Sequence, residues 1–293
     1  MTLPRFEYFA PEGLDDALHM LSQKGKGALV MAGGTDLVMK MNRGLVKPAA
    51  IISLTRIKGL SRIDFDRRKG LTIGATALIA EVASHPEIKK RYPAIAHAAS
   101  VMANVQIRNM GTVAGNLCNA APSADNAPPL MAMGAEVTLT GMKGERRMHV
   151  EELFRGPGMT VLEPGEIMTS ILVPLPPPHS GASYERLSTR GKVDIAAVSV
   201  GVMLIMEETT CKQARIVLGA VAPVPMRARK AENILIGKRL TQRLIEKAAE
   251  QAARESRPIS DVRASAAYRN RMVSVLTRRA IEKAHARARK RQT

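Results

Sequence analysis

Two stretches of this 293-residue chain are poor in bulk and rich in exposed main chain. The first, LVMAGGTDL at 29–37, sets two adjacent glycines directly after an apolar run. Glycine lets the chain turn with φ > 0 and lets amides approach a bound group closely. Successive amides turned into such a concavity suit phosphate oxygens. The spacing fits neither a Rossmann GxGxxG nor a GxxxxGK[ST] P-loop, so the stretch alone also reads as an ordinary strand-to-helix turn. The second, QIRNMGTVAGNLCNAAPSADNAPPL at 106–130, offers Gly111, Thr112, Gly115 and Asn116, then one carboxylate, Asp125, nine positions past Asn116. Two separated loops of this kind could grip the two phosphates of a dinucleotide from both sides. A carboxylate accepting from paired hydroxyls is the usual way to hold a ribose. The plainer alternative is a long surface loop with Asp125 as the N-cap of a helix over APPLMAMGA.

The elements that must position these loops alternate in type. LDDALHMLSQ carries apolar residues at helical spacing, ALVMAGG reads as a buried strand ending in glycines, and PAAIISLTRI and KGLTIGATA supply further strands. ALIAEVASHPEIKKRYPAIAHAASVMA is helical but broken around His85-Pro86 and Tyr92-Pro93, since proline lacks an amide donor and restricts its predecessor. AEVTLTG returns to strand, as does GMTVLEPGEIMTSILVP about a turn at Glu163-Pro164-Gly165. PLPPPHSG suits a linker. Beyond it ASYERLST, IAAVSVGVMLIME and CKQARIVLGAV are strand-like and hairpin-spaced, followed by a helix over RLTQRLIEKAAEQAARES and a long helix from about Asp261 to Arg289.

Composition narrows the classes. A hydrophobic content of 45% with 24% charged residues is that of a globular protein. The N-terminus lacks a secretion-signal pattern, and no apolar run reaches the roughly 20 residues of a membrane-spanning helix, so a cytoplasmic protein without a membrane span is expected. Two distant cysteines, Cys118 and Cys211, cannot by themselves hold an iron–sulfur cluster or structural zinc. No metal site is therefore expected on this chain. The net charge of +18 is concentrated late: from Val221 onward there are 19 Lys/Arg against 6 Asp/Glu. Such a face suits an anionic cofactor, an acidic partner or nucleic acid. Four Phe, four Tyr and no Trp leave few platforms for stacking bases. A flavin-free protein binding nucleic acid or an acidic partner is the alternative from another functional class, and no nucleic acid is the expectation.

AGGTDL, then QIRNMGTVAGNLCNAAPSAD, then DVRASAAYRNRMVSVLTRRA, in that order and nearly end to end, resemble the FAD-binding medium subunit of the molybdenum hydroxylases, the group of xanthine dehydrogenase and carbon monoxide dehydrogenase. The resemblance implies an α+β chain. Its FAD-binding domain, similar to vanillyl-alcohol oxidase, would span 1–175 with lobes of about 1–60 and 61–175. An α+β C-terminal domain with a small antiparallel sheet and helices would span 176–293. By the same resemblance, Val30, Met31, Ala32, Gly33, Gly34, Thr35 and Asp36 form the first diphosphate loop, Thr112, Gly115 and Asn116 the second, and Asp125 binds the adenosine ribose from a loop exposed before the cofactor arrives. Ile167 or Met168 lies near the flavin ring, and Arg186 near the pyrimidine end of the isoalloxazine. Arg190 and Asp194 match family positions but equally suit a salt bridge that orients their loop. No residue is expected to be catalytic in the sense of nucleophile or general acid.

The resemblance further implies an oxidoreductase subunit that receives electrons from [2Fe–2S] clusters on a small partner. A large partner carries the molybdenum cofactor, and FAD delivers to NAD⁺ or another acceptor, in a dimer of heterotrimers. Two departures bear on the activity. Nothing between Arg62 and Ile107 looks like the cysteine-bearing insert of the 4-hydroxybenzoyl-CoA reductase subunit, and Thr35-Asp36 stands where the carbon monoxide dehydrogenase version typically has His-Ser. Aldehyde, purine or N-heteroaromatic oxidation is then expected, with substrate contacts on the large subunit.

Overall fold

The structure is a computed structural model that describes residues 3–189, 191 and 194–290. The first lobe runs β1 (Glu7–Phe9), α1 (Leu14–Lys24), β2 (Ala28–Met31), α2 (Leu37–Asn42) and β3 (Ala50–Ser53). Its sheet has the order β1-β3-β2 with both pairings parallel. Helix α1 turns Ala17, Leu18 and Leu21 onto this sheet, where they join Ile52, Leu54 and Ile57 in one apolar cluster. Gly33 and Gly34 sit at the carboxyl end of β2, the edge of a parallel sheet where ligands characteristically bind.

The second lobe opens with β4 (Ile63–Asp66) and β5 (Gly70–Gly74). Short helices follow: α3 (Ile79–Ser84), α4 (Pro86–Arg91), α5 (Pro93–Val101), α6 (Val105–Arg108), α7 (Val113–Cys118) and α8 (Ala127–Ala132). The breaks fall where His85-Pro86 and Tyr92-Pro93 require them, with each proline at the first helical position, where its missing N–H costs nothing. Strands β6 (Glu136–Gly141), β7 (Gly144–His149), β8 (Phe154–Gly156), β9 (Met159–Thr160) and β10 (Ile167–Val173) complete the lobe. The antiparallel sheet has the order β4-β5-β10-β6-β7. The segment GMTVLEPGEIMTSILVP does contain two strands, but they do not pair with each other: β9 pairs with β8, and β10 lies between β5 and β6.

The C-terminal part is a meander of β11 (Ser180–Leu187), β12 (Val198–Glu207) and β13 (Thr210–Gly219), extended by β14 (Met226–Arg227). It continues with α9 (Arg229–Leu235), β15 (Lys238–Arg239), α10 (Gln242–Glu255) and α11 (Ala266–Lys290). Helix α11 lies so close on β11 that a β-carbon on Gly181 would sit 2.0 Å from the carbonyl oxygen of Ala284. Helix α11 begins five residues later than expected. The Asp261 carboxylate accepts from the amides of Arg263 and Ala264 and closes a turn ahead of the helix. Part of the basic excess is internal: Arg269 is buried, donating to the carbonyls of Ala197 and Ala220 and to Asp261. Arg227 pairs with the buried Glu232. No helix among the described residues is long and apolar enough to cross a membrane.

Candidate cofactor site

The two glycine-rich stretches, more than seventy positions apart, meet. A β-carbon on Gly33 would lie 1.9 Å from the carbonyl oxygen of Met110 and 2.9 Å from Cα of Gly111, so only a bare backbone fits at this crossing. Gly34 takes φ +70, the left-handed region, to turn the chain into α2. Thr112 caps α7, its hydroxyl accepting from the amide of Gly115 at 2.9 Å. Between the loops lies a cavity of about 320 Å³. Val30, Met31, Ala32, Gly33, Gly34, Thr35 and Asp36 all line it from one side, and Thr112, Gly115 and Asn116 from the other.

The donor set of that cavity is open. Among the described residues, none of the main-chain N–H groups of Gly33, Gly34, Thr35, Asp36 and Leu37 donates a hydrogen bond to the protein. Five consecutive free amides at a sheet edge are the chemistry that anionic oxygens satisfy. Lys40, one turn after Asp36 on α2, adds a cation. Its Nζ donates to Asn119 Oδ1 at 2.7 Å, which ties α2 to the end of α7 across the cavity. Desolvation raises the Asp36 carboxyl above the ordinary carboxylate range, with Lys40 pulling the other way. Cys118 also lines the cavity, but burial pushes its thiol up to about 12, so it stays protonated and unreactive at neutral pH. Lys40 and Asn119 were not singled out from the sequence. The one signal for Lys40 was its spacing from Asp36, which places both on one side of a helical turn, and Asn119, 79 positions from Lys40, had none.

Asp125 is elsewhere. It does not line this cavity, and Asn126 rather than Asp125 stands at the N-cap of α8. The expectation that its loop is exposed is overturned: Asp125 is 6% exposed. Its Oδ1 accepts from the Tyr184 hydroxyl at 2.6 Å and from Arg186 Nε at 2.9 Å. Burial pushes its carboxyl above the usual range, against the opposing pull of Arg186 and Tyr184. Arg186 in turn donates to the carbonyl of Val101 at 3.4 Å and to that of Asp194. The Asp194 carboxylate accepts from Thr189 and from the amide of Ile195, while Arg190 lies outside the described residues. Ile167 packs among the buried residues of the first lobe and Met168 among those of the second, and neither lines the cavity between the glycine loops. Among the described residues no group of three or more His, Cys, Asp or Glu could hold a metal.

Fold and site define an α+β protein in which bare main chain at the end of a parallel strand lines a cavity between two loops. Residues 4–176 match the family model of the FAD binding domain in molybdopterin dehydrogenase, and residues 182–284 that of the CO dehydrogenase flavoprotein C-terminal domain. The carbon monoxide dehydrogenase medium chain of Afipia carboxidovorans is 34% identical over 97% of this chain and 98% of its own. The putative xanthine dehydrogenase FAD-binding subunit of Escherichia coli is 27% identical over 96% of each. Among solved structures, the carbon monoxide dehydrogenase from Hydrogenophaga pseudoflava that lacks the Mo-pyranopterin moiety superposes with a TM-score of 0.94 at 34% identity, covering 98% of this chain and 99% of that one. The chain belongs to the family of FAD-binding medium subunits of the molybdenum hydroxylases. FAD is the cofactor of that family's first domain, and the relatives are flavoprotein subunits of dehydrogenases.

Proposed function

We propose that this chain holds the diphosphate of FAD in the cavity between the Ala32–Leu37 and Gly111–Asn116 loops. We propose further that it carries electrons from [2Fe–2S] clusters on a small partner subunit, supplied by a molybdenum-cofactor subunit, to NAD⁺ or another acceptor. Bound FAD exchanges electrons singly or in pairs, which suits it to link one-electron clusters to a two-electron acceptor. The chain's own residues bind and orient. The free amides of Gly33 to Leu37 and the Asn116 side chain donate to the phosphate oxygens, and Lys40 balances their charge. The residue range 1–175 serves this cofactor as two lobes, and 176–293 packs α8 and the Asp125 loop from behind. The observation that carries the reading is the run of five unpaired amides in a loop that Gly33 packs against the main chain of Met110 and Gly111.

Asp125 and Arg186 act together rather than at opposite ends of the dinucleotide. In an extended FAD the adenosine ribose and the isoalloxazine lie far apart, so a carboxylate and a guanidinium in contact serve one end. Arg186 suits the isoalloxazine end, because a cation there stabilises the charge that a flavin gains on accepting electrons. The ribose is then left to other groups.

Relatives of similar identity bear names with different substrates: carbon monoxide at 34%, 6-hydroxypseudooxynicotine at 31% and glyceraldehyde at 29%. Overall likeness therefore does not select among them, and the substrate is chosen on the partner that binds it. The test is direct. Purified full chain should be yellow and release FAD on denaturation, and it should co-purify from its source with an iron–sulfur subunit and a molybdenum subunit. A colourless protein whose binding to nucleic acid falls steeply with salt would replace this reading with the alternative one.

A further inference from the structure

Asn126 stands at the N-cap of α8, where an asparagine ordinarily bonds the amide of the second or third helical residue. Those residues here are Pro128 and Pro129, which have no N–H. The side chain is thus freed from capping, and it turns to the cavity wall instead. Asn126 Nδ2 donates to Asn116 Oδ1 at 3.1 Å and touches Met102 Sδ at 3.3 Å, and both Asn116 and Met102 line the cavity. The main-chain N–H of Asn126 also points at Asn116 Oδ1, at 3.4 Å. A main-chain N–H can only donate, so the oxygen of the Asn116 amide must face it and the NH₂ must face away. That NH₂ has no acceptor among the described residues and is not among the fully buried unpaired atoms.

We propose that Asn126 is a positioning residue which locks the Asn116 amide with its NH₂ turned toward the diphosphate. This rests on the FAD reading above. Asn126 is 1% exposed, and its own Oδ1 is buried with no donor. Native folds leave few such orphaned acceptors, and each calls for a reason. Here the reason is that rotating the Asn126 amide would set its oxygen against the oxygen of Asn116 and release the donor.

The test is a double-mutant cycle on FAD affinity, measured by fluorescence titration of the deflavinated full chain. Asn116→Ala and Asn126→Leu should each weaken binding about tenfold, the worth of one hydrogen bond to a charged group. The double variant should be no weaker than either single one, because Asn126 acts only through Asn116. Asn126→Ser, which keeps a small polar group but cannot reach Asn116, should give the same result and serves if the leucine variant does not fold. Wild-type affinity in an Asn126 variant, or losses that add to about a hundredfold, would overturn the proposal. A wild-type chain that does not take up FAD at all would instead sink the FAD reading, so the two failures are distinguishable.

Discussion

The carbonyl oxygen of Met110 occupies the place where Gly33 would carry a β-carbon, 1.9 Å from it. The glycine is therefore required by the contact between the two loops themselves, before any cofactor is considered. Gly33→Ala should force the crossing apart, lower stability by about 1–3 kcal/mol as overpacked sites do, and abolish FAD retention. Thermal melting and the ratio of flavin to protein absorbance check both effects. A stable, fully flavinated Gly33→Ala chain would mean that the loops do not meet here.

Removing the Asp125 carboxylate should cost more than a surface loop residue would. Asp125→Ala leaves the buried Tyr184 hydroxyl and Arg186 guanidinium without their acceptor, and breaking a buried pair from one side costs about 3–5 kcal/mol. Removing the charge on both sides, in Asp125→Asn with Arg186→Met, should restore part of that loss. Chemical denaturation of the four forms measures the coupling, and simple additivity would contradict the pairing.

How much of this was legible in the sequence divides along physical lines. The glycine loops announced themselves because a run without bulk is conspicuous, α1 followed from its helical apolar spacing, and β2, β3 and the C-terminal meander from apolar runs at strand length. Strands β4 and β7 escaped because IDFD and GERRMH are charged and largely solvent-facing, and their pairing comes from neighbours already in the sheet. The partners of Asp125 come from β11, about sixty positions away, and no local pattern encodes such a contact. Its burial was missed for the same reason. The N-cap position offered for Asp125 belongs to its neighbour Asn126, whose side chain makes no cap bond, a shift of one residue that sequence alone does not resolve.

Lys40 should matter to binding through charge. Lys40→Met should weaken FAD binding by about ten- to a hundredfold at low salt, the range of one charge-assisted contact, and the deficit should shrink as ionic strength rises. Lys40→Arg should keep most of the affinity. Titrations at two salt concentrations decide it, and an unchanged affinity for Lys40→Met would remove the lysine from the site.

Asp261 predicts an acid limb. Burial disfavours its charged form, but the Arg263 amide and the Arg269 and Arg263 guanidiniums prevail and hold its carboxyl down to about 2. A folded value below the unfolded one contributes stability that is complete above the unfolded carboxylate range and is lost as pH falls from about 4 toward 2. Asp261→Asn should lower the melting temperature at pH 7 and flatten its decline over that window. An acid limb of the same steepness in the variant would show that the turn ahead of α11 does not depend on the ion pair.

In the proposed complex, bare main chain from two distant loops clasps the diphosphate of FAD. A crystal structure of the FAD-loaded chain would decide it. Phosphate oxygens should lie about 2.7–3.2 Å from the amide nitrogens of residues 33–37, with the Asn116 NH₂ on the opposite side. A diphosphate bound away from these amides, or one held by side chains alone, would contradict it.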